Sequence, residues 1–195
     1  MPSDILIRRE RPDQPEVMAL LRSLDDYLAA LYPPEANHIM DVASLAAGEV
    51  HFLVARQLVA RELVAREQAR APAMANAPAD AAGGRAVGTA AVRLMPGEAA
   101  TGGERYGEVK RMYVAPAQRG QRLGAALIAE LEATLLREGI GLALLETGRD
   151  QAEAVRLYER CGYRERGPFG GYPDNGLSVF YGKRLSALSG ERPAA

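Results

Sequence analysis

The sequence predicts an α/β fold: a mixed, mostly antiparallel β-sheet flanked by helices. Three observations carry that reading. The elements run strand, one or two helices, three strands, helix, strand, helix and two strands. The strand–helix–strand passage through 106–147 implies a parallel crossover, whereas the hairpins around it are antiparallel. Two stretches, 14–31 and 123–137, repeat Leu and Ile at helical spacing.

Taken in order, Ile5 and Ile7 make 4–9 a short edge strand. Asp13 is placed to cap a helix whose first turn holds Pro15 and Glu16. Val17, Leu20, Leu21, Leu24, Leu28 and Leu31 recur on its apolar face until Tyr32-Pro33-Pro34 stops it. A short helix through 40–47 ends at Gly48, and HFLVAR at 51–56 reads as a strand. LVAR recurs at 53–56, 58–61 and 63–66. A period of five matches neither strand nor helix, so the repeat reads as a duplication within a hairpin connection. The Ala/Pro/Gly-rich continuation makes 57–84 a flexible insertion, either a tolerated surface loop or a lid or partner segment.

Strands resume at 85–94 and 106–114. Leu127, Ile128, Leu131, Leu135 and Leu136 define the helix at 123–137, with Gly139 just past its end. LALLET at 142–147 is an apolar run of buried-strand type. Asp150 is expected to cap a helix at 152–160 that closes at Gly162. Strands at 163–166 and 177–185 flank the loop GPFGGYPDNG, and 186–195 is expected to be a disordered tail. The 195 residues fit one domain spanning 1–185.

Composition narrows the function. Basic residues number 24 and acidic residues 25, which removes the electrostatic reason to expect nucleic acid as a partner. All but two of the basic residues, Lys110 and Lys183, are arginine, a bias that genomic base composition accounts for better than phosphate recognition. No run approaches the roughly 18 apolar residues of a membrane helix, and MPSDILIRRE lacks a signal-peptide core, so a cytoplasmic location is expected. A lone Cys161 and two histidines, His38 and His51, argue against a disulfide and against any metal.

The sharpest local feature is MYVAPAQRGQRLGAALI at 112–128. A strand ends at Val114, Pro116 turns the chain, and Arg119-Gly120-Gln121-Arg122-Leu123-Gly124 opens a helix. Unpaired amides at a helix start bind anions, and glycine lets a phosphate approach the main chain. This stretch resembles the Arg/Gln-x-x-Gly-x-Gly/Ala signature of the GCN5-related N-acetyltransferase (GNAT) family, with Arg122 where the first glycine is usual. LETGRDQAEAVRLYERCGY at 145–163 is similar to the family's second block. There Gln151, Ala154, Leu157, Tyr158, Gly162 and Tyr163 take the places of Asn-x-x-Ala-x-x-Leu-Tyr-x-x-x-Gly-Phe/Tyr. Segments at 32–38, 107–112, 145–148 and 168–172 resemble a bacterial branch of the family.

The resemblance implies a GNAT-type splayed sheet and an acetyl group moved from acetyl-CoA to a primary amine of a small molecule or peptide. Acetyl-CoA is expected where strand 106–114 parts from strand 142–147. Main-chain groups of Met112, Tyr113 and Val114 would pair with the pantetheine. The segment Arg119, Gly120, Gln121, Arg122, Leu123, Gly124 and Ala125 would hold the diphosphate, and Gln151 and Tyr158 would complete the cofactor contacts. Because the amine attacks the thioester directly, Cys161 need not act. Tyr158 matches the family's general acid. Glu108 and Glu146 are candidates for the base, and either could instead bind the substrate ammonium or pair with Arg111.

Tyr32, Glu35 and His38 lie in the family's variable substrate loop, where His38 is either a base or a plain surface residue. Phe169 and Tyr172 either wall the substrate pocket or cover the sheet edge. Lys110 or Arg111 at the entrance would favour an acidic substrate. Dimerisation through sheet edges and late strands is common in the family. Transfer of another acyl group, acetylation of proteins, and non-catalytic acyl-CoA sensing are the alternatives.

Overall fold

The computed structural model describes residues 4–34, 38–59, 83–173 and 176–186. Glu35, most of the 57–84 insertion with its later LVAR copies, and the tail beyond Ser186 lie outside the described residues.

The elements are β1 (Ile5–Arg9), α1 (Pro15–Leu31), α2 (Val42–Leu45), β2 (Val50–Gln57), β3 (Arg85–Met95), β4 (Tyr106–Val114), α3 (Leu123–Arg137), β5 (Leu142–Gly148), α4 (Ala152–Arg160), β6 (Arg164–Arg166) and β7 (Ser178–Arg184). Among the described residues, seven strands form one mixed sheet in the order β1-β2-β3-β4-β5-β7-β6. Antiparallel ladders join β1 to β2, β2 to β3, β5 to β7 and β6 to β7. The parallel ladder of β4 and β5 covers only Gly107–Val109 against Ala143–Leu145, and both strands run on past its end. The expected splayed, mostly antiparallel α/β sheet is therefore the one observed.

Contacts divide the chain into two compact units, Met1–Arg93 with Lys110–Leu131, and Leu94–Val109 with Glu132–Ala195, so β4 and α3 each contribute to both. In the first unit, Val17 and Leu21 of α1 pack with Leu45, Val50, Phe52, Val54, Ala86 and Ala91. The 3.6-residue period of α1 meets the two-residue period of the strands there, and each buries one apolar face. Asp13 does not cap α1. The N-cap is Gln14, without a side-chain cap bond, and Asp13 instead accepts from Arg11 Nε at 3.0 Å. An exposed arginine two residues away outcompetes the helix amides, and Pro15 at the first position removes one donor that would need a cap.

Strand alternation puts Arg56 on the face of β2 that carries Phe52 and Val54, beside a register shift in the β2–β3 ladder, and its side chain is 1% exposed. Its guanidinium donates to Glu10 (2.8 and 2.9 Å), Glu16 (2.6 Å), Gln14 (3.0 Å) and the Gly84 carbonyl (2.8 Å). A buried charge persists only when its donors are met in this way. Burial pushes the Glu10 carboxyl upward, but hydrogen bonds from Arg56, Arg8 and Gln14 outweigh it and hold Glu10 below its ordinary range.

In the second unit, Tyr106, Leu142, Leu144, Phe169 and Phe180 form the core on one face. The opposite face lies close beneath α3: a Cβ at Gly107 would stand 2.2 Å from Leu135 Cδ2, so only glycine fits. Asp150 is not the N-cap of α4 either. Gln151 holds that position, without a side-chain cap bond, and its amide donates to Gly148 O at 3.0 Å.

Candidate active site

In the first unit, β4 leaves regular geometry at Arg111, whose φ of 55° is left-handed. Arg111 donates a two-pronged hydrogen bond to Asp25 of α1, and its carbonyl accepts from the buried Thr89 hydroxyl at 3.0 Å. Its cation is therefore committed to Asp25 rather than to Glu108 or Glu146, and it is not offered to an acidic substrate. Met112, Tyr113 and Val114 follow, half-buried. The Ala115 amide donates to Val87 O at 2.9 Å, fixing the strand's end.

A single 3₁₀ turn, Pro116–Gln118, then leads into α3. The buried Gln118 donates its side-chain amide to Gln57 at 3.0 Å and accepts from Gln121 at 3.1 Å, anchoring the turn. Arg119 Nε donates to Val114 O at 3.2 Å, which folds that side chain back over the strand end. Gly120 has φ 77° and Arg122 φ 61°. The family's usual glycine at position 122 thus answers a left-handed backbone, which this chain imposes on arginine. Ala126 is the first amide to reach a helical carbonyl, that of Arg122 at 3.1 Å. The amides of Leu123, Gly124 and Ala125 precede that bonding, as the first-turn amides of an α-helix do.

In the second unit, strand alternation puts Glu108 of β4, Glu146 of β5 and Ser178 of β7 on one face, shared with Leu144 and Phe180. Glu108 is buried and accepts from the Tyr172 hydroxyl. Glu146 is half-buried and accepts from Ser178 Oγ at 2.5 Å. Tyr158, on α4, is buried and makes an edge contact with Tyr163. Burial, and then the charge of Glu146, push the Tyr158 phenol well above its ordinary range. Burial and Glu108 do the same to Tyr172, so both hydroxyls keep their protons.

Phe169 is 2% exposed and packs edge-on to Tyr106, Tyr172 and Phe180, covering the face of the sheet rather than its edge. Gln151 is half-buried at the start of α4. Tyr32 is the buried C-cap of α1, His38 and Lys110 are half-buried, and Glu35 lies outside the described residues. The Cys161 thiol is pushed up by burial and by the charge of Glu132, the direction that makes a thiol inert. Among the described residues no group of three His, Cys, Asp or Glu could hold a metal, and no helix is long and apolar enough to cross a membrane.

Sequence reasoning missed two partners, Asp25 and Ser178. Asp25 stands beside the apolar face of the amphipathic α1, where the sequence does not separate it from its exposed neighbour Asp26. Ser178 carries no signal before the β5–β7 register is known.

The model of the Acetyltransferase (GNAT) family matches residues 45–163. The "IAA acetyltransferase" of Azospirillum brasilense is 37% identical over 182 residues, covering 93% of this chain and 99% of that protein. A crystal structure assigned as an acyl-CoA N-acyltransferase from Klebsiella pneumoniae superposes with a TM-score of 0.64 at 30% identity, covering 94% of this chain and 99% of that one. The PaiA N-acetyltransferase of Thermoplasma acidophilum, in complex with coenzyme A, shares the fold with a TM-score of 0.57 at 16% identity, over 92% of this chain and 98% of that one.

Proposed function

The chain belongs to the GNAT family and is an acetyl-CoA-dependent N-acetyltransferase; from that premise we propose that residues 1–185 act as one catalytic domain on a primary amine of a small molecule or peptide, with Glu146 as base and Tyr158 as acid. The observation that carries the reading is the half-buried Glu146 carboxylate, held by Ser178 Oγ at 2.5 Å in the same unit as the buried Tyr158.

The amine nitrogen attacks the thioester carbonyl carbon, forming the C–N bond as the C–S bond breaks. Glu146 takes the proton that the nitrogen sheds, and Tyr158 gives one to the departing thiolate. Burial first, and the charge of Glu146 second, keep the proton on the Tyr158 phenol, and protonation of Glu146 removes only the second of these. Glu108 suits the base role less well, because its carboxylate is buried and engaged by Tyr172. In the first unit, the amides of Leu123, Gly124 and Ala125 take the diphosphate, and Met112 to Val114 offer main-chain groups to the pantetheine.

Heating the protein with and without acetyl-CoA tests the cofactor assignment. A ligand at about 100 times its Kd stabilises by roughly 2.7 kcal/mol, an upward shift of several degrees. No shift at millimolar acetyl-CoA overturns it. Turnover of a panel of amines and peptides in Glu146→Gln tests the base, and undiminished turnover removes Glu146 from that role.

A further inference from the structure

Among the described residues only Arg111 and Arg122 combine a side chain with a left-handed backbone. Arg122 lies in a turn. Arg111 lies inside a strand, where left-handed geometry is disfavoured roughly ten-fold or more for any residue with a Cβ. Such a conformation lasts only where its surroundings over-determine it.

The surroundings here are four identified hydrogen bonds. The guanidinium of Arg111 forks onto both carboxylate oxygens of Asp25, the Nη2–Oδ2 arm at 3.2 Å. Arg111 O accepts from Thr89, which is fully buried. Downstream, Ala115 N–H is tied to Val87 O. Asp25 itself sits on α1 one position past the buried Leu24, so the helix that packs on the first unit's core also sets the height of the carboxylate. Arg111 is 8% exposed, and without Asp25 its cation has no other ionic partner among the described residues. The segment steered by this arrangement is Met112–Val114.

We propose that Asp25 is a positioning residue: by clamping Arg111 it holds the left-handed kink in β4 and so aims the main-chain groups of Met112–Val114 at acetyl-CoA. This rests on the cofactor reading given above. The fork geometry matters as much as the charge, because a carboxylate facing a guanidinium fixes two atoms and therefore an orientation.

The clamp has a sharp genetic signature, because glycine adopts the kink with no clamp. Acetyl-CoA KM, amine KM, kcat and thermal midpoint are measured for wild type, Asp25→Ala, Arg111→Gly and the double variant. Asp25→Ala is expected to raise acetyl-CoA KM about ten-fold, with kcat and amine KM changed less than about three-fold, as lost positioning of one ligand predicts. In the Arg111→Gly background the same Asp25→Ala change is expected to move acetyl-CoA KM less than about two-fold, a non-additivity that a bystander ion pair does not give. Equal effects of Asp25→Ala in both backgrounds overturn the proposal, as does an unchanged acetyl-CoA KM in folded Asp25→Ala. Should Asp25→Ala fail to fold, Asp25→Asn, which keeps one acceptor, replaces it in the same cycle. Wild-type protein that does not bind acetyl-CoA defeats the functional reading itself, whereas wild-type binding with an additive cycle defeats only the clamp.

Discussion

Ser178 on β7 donates its hydroxyl to Glu146 on β5 at 2.5 Å, diagonally across an antiparallel ladder that pairs Ser178 with Gly148 and Glu146 with Phe180. The bond holds the Glu146 carboxylate on the sheet face that also carries Glu108. Among the described residues Glu146 has no ion-pair partner, so no arginine or lysine neutralises its carboxylate.

The first prediction follows from the charge coupling. In Glu146→Gln the phenol of Tyr158 loses one of the influences holding its proton, so its ionisation moves to lower pH. Difference absorbance of Glu146→Gln against the Glu146→Gln/Tyr158→Phe double variant isolates that phenol. An unmoved or higher transition means that the two groups are not coupled.

Tyr158→Phe removes the donor and leaves the ring. Acetyl transfer is expected to slow by about 100-fold, the usual worth of a positioned acid, while acetyl-CoA binding changes less than two-fold. Turnover within a factor of three of wild type excludes the acid role.

Arg122→Gly exchanges a strained residue for one at ease at φ 61°. The gain of about 1 kcal/mol in the folded state is offset by the greater freedom of glycine in the unfolded chain, so urea unfolding should move by less than about 0.5 kcal/mol. Arg122→Val, β-branched at the same backbone, should cost more than 1 kcal/mol. If the two variants are equally stable, the left-handed turn is not what position 122 demands.

Arg56→Ala leaves Glu10 buried without its main partner and is expected to cost about 3–5 kcal/mol in urea unfolding. The wild-type network also gives a pH signature. Glu10 is held below its unfolded value, so its contribution is fully present above about pH 4.5 and is lost as pH falls through the folded value. Stability of wild type minus Arg56→Ala should therefore shrink with acidification in that window, and a gap that widens contradicts the assignment.

Much of the chain was readable one residue at a time. The bounds of β4 at Tyr106–Val114 and α3 at Leu123–Arg137 match the sequence reading to the residue, because strand alternation, helical spacing and the glycines that close helices are local signals. The caps at Asp13 and Asp150 did not follow. A polar residue near a helix start caps only if the chain enters at the right angle, and Arg11 and Gln151 changed the outcome. The glycine-containing start of α3 and the helix bearing Tyr158 were legible as motifs, since each needs only a dozen adjacent residues.

The amino-acid order alone thus determined which segments become strands and helices, which helix start carries the glycine-rich motif, and which tyrosine is a candidate proton donor. Folding decided the rest. Arg111 meets Asp25 across 86 positions, Glu146 meets Ser178 across 32, and Glu108 meets Tyr172 across 64. Such pairs exist only once sheet register and helix packing have set their distances, and a charge or hydroxyl acquires its chemical behaviour from the burial and partners it finds there.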